Sequence, residues 1–110
     1  MSCLFCNIIA KKVPANIVYE DQEIIAFNDA YPKAPTHILI LPKKHIDSVN
    51  EIVGADQILI GRLIYQAKLI AQAQGVAAGG YRLIFNCGKN GGQVIYHLHL
   101  HLLGGKELEG

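Results

Sequence analysis

Tyr96-His97-Leu98-His99-Leu100-His101-Leu102-Leu103 alternates imidazole and leucine over most of its length. On a strand, successive side chains point to opposite faces. His97, His99 and His101 would share one face, and Leu98, Leu100 and Leu102 the other. Neighbouring rings would stand about 6.5–7 Å apart. A helix would scatter the same positions around its circumference. A half-buried strand with any polar residues toward water would tolerate Thr, Lys or Glu there. Three of the chain's five histidines on one face instead describe a strand with an apolar back and an imidazole front.

The neighbouring segments supply a sheet for that strand. Gly104-Gly105 stops it, and Lys89-Asn90-Gly91-Gly92 is a turn leading into it. Tyr81 to Asn86 reads as another strand. Thr36-His37-Ile38-Leu39-Ile40-Leu41 is a continuous apolar run of strand length stopped by Pro42, as expected for a strand buried on both faces. Ile17-Val18-Tyr19 and Ile24-Ile25-Ala26-Phe27 flank the polar turn 20–23 as a hairpin, followed by a loop with two prolines over 28–35. Ala55 to Gln74 is the one long helix. Ile58, Leu59, Leu63, Ile64, Ala67, Ile70 and Ala71 hold its period, and Gly75 is placed to stop it. Leu4, Phe5, Ile8 and Ile9 fit a short helix over 3–10, ended by Pro14. The expected fold is α+β: a largely antiparallel five-stranded meander, one long helix and a short N-terminal helix, with the long helix on one face and the imidazoles on the other. The short last strand is expected to leave edges that a second copy could use.

At 110 residues, positions 1–110 are expected to form a single domain. Hydrophobic residues make up 51% and charged residues 17%, so some apolar surface is expected to meet a partner subunit. A net charge of +1 offers no basic excess for a long nucleic acid, though a single nucleotide needs far less. No apolar run approaches membrane-spanning length, so no membrane partner is expected. The N-terminus reads as having no signal peptide. With three cysteines, an odd number, that suggests a reducing, cytoplasmic setting with free or metal-bound thiols.

A neutral imidazole can attack phosphorus, while neighbouring rings hold phosphate oxygens or protonate a leaving group. His99, flanked on both sides, is the natural nucleophile; His101 and His37 are candidate donors. Gly91-Gly92 could present backbone N–H groups to the phosphate. Cys3-Leu4-Phe5-Cys6 has the spacing of two zinc thiolates, and equally that of a redox pair. Cys87 reads as a core residue.

The run from Gly91 to Leu103 resembles the signature of the histidine triad superfamily, His-φ-His-φ-His-φ-φ with φ apolar. Segments 17–21, 26–29, 34–46 and 80–83 are similar to its Hint branch. The resemblance implies a symmetric homodimer with one ten-stranded sheet and a purine nucleoside monophosphate pocket in each subunit. It implies cleavage of a nucleoside phosphoramidate to AMP and an amine, through a nucleotidyl-histidine intermediate, with no metal needed at phosphorus. By position, His99 is the nucleophile, and His37, His101 and His97 complete the imidazole cluster. Asn86 and the backbone near Gly92, with Gln93 and Val94, fall at the phosphate. Asp29 matches the carboxylate that binds the ribose hydroxyls. Phe5, Ile8, Val13, Phe27 and Asn28 fall in the base pocket, although Phe27 and Ile8 read equally well as plain core.

Val94 is a departure, since many Hint proteins carry a serine there. Valine cannot donate, and losing a donor to a charged group is worth about 1.5–3 kcal/mol. Altered leaving-group preference or a slower rate is expected. Relatives with both cysteines often bind a structural zinc, and the resemblance here implies Cys3, Cys6, His45 and His97 as ligands. Two rival readings stay open: a metal-dependent hydrolase with one ion on His97, His99 and His101, and a nucleotide-binding regulatory or scaffold module with little turnover.

Overall fold

The computed structural model describes residues 3–110. In chain order the elements are α1 (Leu4–Ile9), β1 (Ile17–Glu20), β2 (Ile24–Asn28), β3 (Thr36–Pro42), α2 (Gln57–Ala73), β4 (Tyr81–Phe85) and β5 (Leu100–Gly104). Short 3-10 turns at Val49–Glu51 and Gly54–Asp56 lead into α2. The five strands form one sheet in the order β1-β2-β3-β5-β4, with every neighbouring pair antiparallel. The α+β plan expected from the pattern, with five antiparallel strands, one long helix and a short N-terminal one, is the observed fold.

Alternation divides the apolar residues between the two faces. Ile24, Ala26, Ile38, Ile40, Leu98, Leu100 and Leu102 pack with Leu63, Ala67, Ile70 and Ala71 of α2. Ile25, Phe27, Leu39 and Leu41 face the other way and pack with Cys3, Phe5 and Ile8 of the N-terminal segment. The leucine back and imidazole front therefore lie on the α2 side and the α1 side of the sheet. Arg62 of α2 reaches across to the β1–β2 turn, bonding Asp21 Oδ2 at 2.6 Å and Glu23 Oε1 at 2.7 Å.

Three features depart from the pattern reading. The strand order is not a simple meander, because β5 inserts between β3 and β4. The histidine strand is thus interior, and β1 and β4 are the edges. Matching apolar rows accompany this choice: Ile38 opposes Leu102 and Ile40 opposes Leu100. Second, the strand expected across the histidine stretch begins only at Leu100. Continuing the register would set Leu98 against Pro42, which has no N–H to give; the Leu98 N–H instead donates to Ile46 O at 2.7 Å. Third, Ile58 and Ile64 lie outside the core, at 81% and 47% exposure. The side of α2 turned to the sheet carries Leu63, Ala67, Ile70 and Ala71.

Candidate active site

A cavity of about 670 Å³ opens on the imidazole side of the sheet, within the range usual for small-molecule sites. Phe5 and Ile8 of α1, Phe27 of β2 and Leu39 of β3 give it apolar walls. Asn28 and Asp29 at the end of β2, Asn86 and Gly92 from the β4–β5 connection, and His99 and His101 supply polar groups. Phe5 stands edge-on to His99, with centroids 5.1 Å apart, and edge-on to Phe27 at 5.5 Å.

Hydrogen bonds fix which nitrogen carries the proton on each ring. The Lys33 backbone N–H donates to His37 Nδ1 at 3.0 Å, so a neutral His37 carries its proton on Nε2. That nitrogen lies 3.0 Å from His101 Nδ1 and 3.3 Å from Asp29 Oδ2. Donation to His101 Nδ1 leaves the His101 proton on Nε2. His99 Nδ1–H donates to the His97 carbonyl at 2.7 Å, which leaves His99 Nε2 with a free lone pair. An ordinary backbone carbonyl therefore sets the tautomer that a nucleophile requires.

Burial is the chief cause lowering the pKa of all three rings. For His101, the neighbouring His99 and His37 add to it, and the value is pushed down to about 4. The Asp29 carboxylate opposes burial at His37, and the His97 carbonyl opposes it at His99. The cluster is therefore neutral near pH 7.

His97 faces elsewhere. Its ring is fully buried, its Nε2–H donates to Pro42 O at 2.8 Å, and its Nδ1 lies 3.6 Å from both Cys3 Sγ and Cys6 Sγ. His45 Nδ1 lies 3.3 Å from Cys6 Sγ, while His45 Nε2–H donates to Asp47 Oδ1 at 2.6 Å. Both imidazoles thus turn a lone pair toward the thiols and anchor the opposite nitrogen, as metal-ligating histidines do. A tetrahedral zinc with Zn–S of about 2.3 Å and Zn–N of about 2.0 Å would set sulfur and nitrogen about 3.5 Å apart. The observed spacings fit that ion. Burial first, and then the neighbouring Cys3 sulfur, raise the pKa of the Cys6 thiol, so two thiolates here call for a cation.

Asp29, His37 and His101 also cluster within ligand distance. That set is ill suited to a metal, because His37 Nδ1 already accepts the Lys33 N–H and ligation at Nε2 would require an imidazolate. His97, His99 and His101 do not converge on one ion among the described residues, since His97 belongs to the cysteine cluster.

Most residues expected at the nucleotide line the cavity, with two exceptions. Val13 packs half-buried against the cluster around Phe5, while its neighbours Pro14, Ala15 and Asn16 reach the cavity. Gln93 is buried, its side chain turned toward Asp47 and Gly88. The Gly91 and Gly92 N–H groups, expected to face an anion, are spent on Gly88 O and Lys89 O inside the turn. Leu39, Tyr31 and Lys33, which carry no sequence motif, also line the cavity. Alternation along β3 points to Leu39; nothing in the loop pattern marks Tyr31 or Lys33.

The family model described as scavenger mRNA decapping enzyme C-term binding matches residues 2–109. A purine nucleoside phosphoramidase of Escherichia coli (strain K12) is 47% identical over 105 residues, covering 96% of this chain and 88% of the relative. Among solved structures, a HIT family hydrolase from Legionella pneumophila Philadelphia 1 superposes with a TM-score of 0.96 at 49% identity, covering 98% of this chain and 96% of the other. A histidine triad protein from Clostridium difficile superposes with a TM-score of 0.97 at 43% identity, covering 100% and 96%.

Proposed function

The chain belongs to the histidine triad superfamily as an enzyme, and from that premise we propose that it hydrolyses purine nucleoside phosphoramidates to a nucleoside monophosphate and an amine. The observation that carries this reading is the His99 ring. Its Nδ1–H is committed to the His97 carbonyl, and the ring lines a cavity whose other walls suit a nucleotide.

His99 Nε2 gives its lone pair to phosphorus while the bond from phosphorus to the amine breaks. The amine leaves with that electron pair and takes up a proton. Water then attacks the nucleotidyl-histidine, loses a proton, and releases AMP and neutral His99. His101 Nε2–H, held in that tautomer by His37, donates to a phosphate oxygen as charge builds. Asp29 takes the ribose hydroxyls; its Oδ1 already accepts the Tyr31 N–H at 2.9 Å, which orients the carboxylate. Phe5, Ile8 and Phe27 hold the base between apolar surfaces.

Cys3, Cys6, His45 and His97 would hold a structural zinc. Once bound, the ion would tie α1, and with it the Phe5 wall, to the backbone that orients His99. Residues 1–110 would act as one domain in a reducing cytoplasm, paired as a homodimer. The pairing is supported by the exposed apolar stripe of Ile58, Tyr65 and Leu69 on α2 and by the uncovered edge of β4.

The test is steady-state turnover of an adenosine phosphoramidate beside a diadenosine polyphosphate, with metal content measured on the same sample. The proposal expects faster turnover of the phosphoramidate, surviving strong chelators at least in part. Binding without turnover would favour the scaffold reading.

A further inference from the structure

We propose that Gln93 is a positioning residue for phosphate recognition, acting through the loop it holds rather than by touching the nucleotide. Gln93 is 6% exposed and all of its amide is used. Its Oε1 accepts the Gly88 N–H at 2.9 Å, and its Nε2 donates to Asp47 O at 2.7 Å and Ile95 O at 3.1 Å. One side chain therefore fixes the start of the 88–92 turn, the residues after it, and a separate segment beyond β3.

The N–H groups within the turn are consumed internally. Gly91 donates to Gly88 O at 3.2 Å, Gly92 to Lys89 O at 3.1 Å, and Gln93 itself to Gly88 O at 3.0 Å. The next two, Val94 and Ile95, make no backbone bond among the described residues, and both residues line the cavity. Two backbone N–H groups without a backbone partner among the described residues thus follow directly on Gln93, in residues that line the cavity. Asn86, whose Nδ2 donates to Gly91 O at 2.8 Å, braces the same turn from the cavity side. The turn's own bonds and close backbone packing fix its shape, with Gly92 at φ 82° and a Cβ on Gly91 placed 2.3 Å from Cys87 O, but they do not fix where the turn sits against the rest of the chain. Among the described residues, the Gln93 amide makes the one hydrogen bond that ties residues 88–95 to the segment beyond β3, so its loss frees the Val94 backbone to shift against the cavity. Asp47 also takes the His45 Nε2–H on its carboxylate, so the anchor for the loop is the segment that carries a cysteine-cluster histidine.

This proposal rests on the nucleotide reading above, and the test separates the two. Full-length wild type, Gln93→Glu and Gln93→Met are titrated calorimetrically with adenosine and with AMP, and kcat and KM are measured with an adenosine phosphoramidate. Glutamate keeps the acceptor for Gly88 N–H and loses both donations; methionine removes all three bonds at similar length. If methionine prevents folding, the glutamate variant alone decides. The expected result is adenosine affinity within about twofold of wild type, AMP affinity about tenfold or more weaker, and a lower kcat, since at least one ordinary hydrogen bond's worth of phosphate binding is lost. Equal weakening toward both ligands, or no change toward either, would overturn the proposal while leaving the nucleotide reading intact. Wild-type protein that binds neither ligand would overturn both.

Discussion

Replacing Cys6 by serine removes one of four converging donor atoms and leaves the others without a closed set. The effect on the fold can be worked from α1. A helix of six residues is far below the length that persists alone in water, and α1 is held by Phe5 and Ile8 beneath it and by the cysteine cluster at its start. If free zinc stands about 100-fold above its dissociation constant, the ion adds about 2.7 kcal/mol to stability. In a chain of this size each kcal/mol moves Tm by roughly 4 °C. Cys6→Ser should therefore lower Tm by roughly 10 °C and abolish stoichiometric metal. Because Phe5 sits on the same turn and against His99, AMP affinity should fall with it. The assays are elemental analysis, thermal unfolding with and without a chelator, and AMP titration of both proteins. Wild-type protein that purifies without metal, and whose Tm ignores both chelator and added zinc, would refute the reasoning.

Val94 lines the cavity at 87% exposure and its side chain offers no donor, so Val94→Ser should raise phosphoramidase turnover, by roughly tenfold or more; an unchanged or lower rate in steady-state assays counts against it. His37 and His101 have folded-state pKa values below the ordinary 6.5. Above that value both states are neutral and their contribution to stability is complete. As pH falls below 6.5 the unfolded chain binds protons that the folded one refuses, and stability drains toward pH 4. Urea midpoints should fall across that window, and an activity profile should hold level below pH 6.5 before it declines; an acid limb centred at or above 6.5 would contradict this. Gly61 lies between Ile58 and Tyr65 on the outer face of α2, with nothing within 4 Å of where its Cβ would be. Gly61→Leu should convert a dimer to a monomer by light scattering. Unchanged mass with about 1 kcal/mol of added stability, the ordinary helix-propensity gain, would mean that no partner packs there.

Much of this was legible because period and residue type agree. The apolar run of β3, the period of α2 and the alternation around His99 each specify an element with few alternatives, and the fold follows from stacking them. The spacing of Cys3 and Cys6 suits two ligands of one ion, and the structure gathers both sulfurs with His45 and His97, the histidines the resemblance implies. Other features depend on contacts that no local pattern encodes. The insertion of β5 between β3 and β4 is a long-range pairing decision. The late start of β5 follows from Pro42, 56 residues before Leu98, whose missing N–H acts only once the register is known. Val13 and Gln93 sit in the correct segments but turn away from the cavity, which backbone direction decides. The tautomer of His101 depends on the Lys33 backbone N–H, reached through His37, so its origin is a main-chain group invisible to any reading of side chains.

The central claim is that His99 takes up the nucleotidyl group. Mixing the enzyme with an adenosine phosphoramidate, quenching without acid and reading intact and peptide masses tests it directly. The account predicts one added adenylyl group, located on His99 and absent from His99→Asn, with turnover lost in that variant. An adduct on another residue, or a His99→Asn protein that turns over at the wild-type rate, would contradict it.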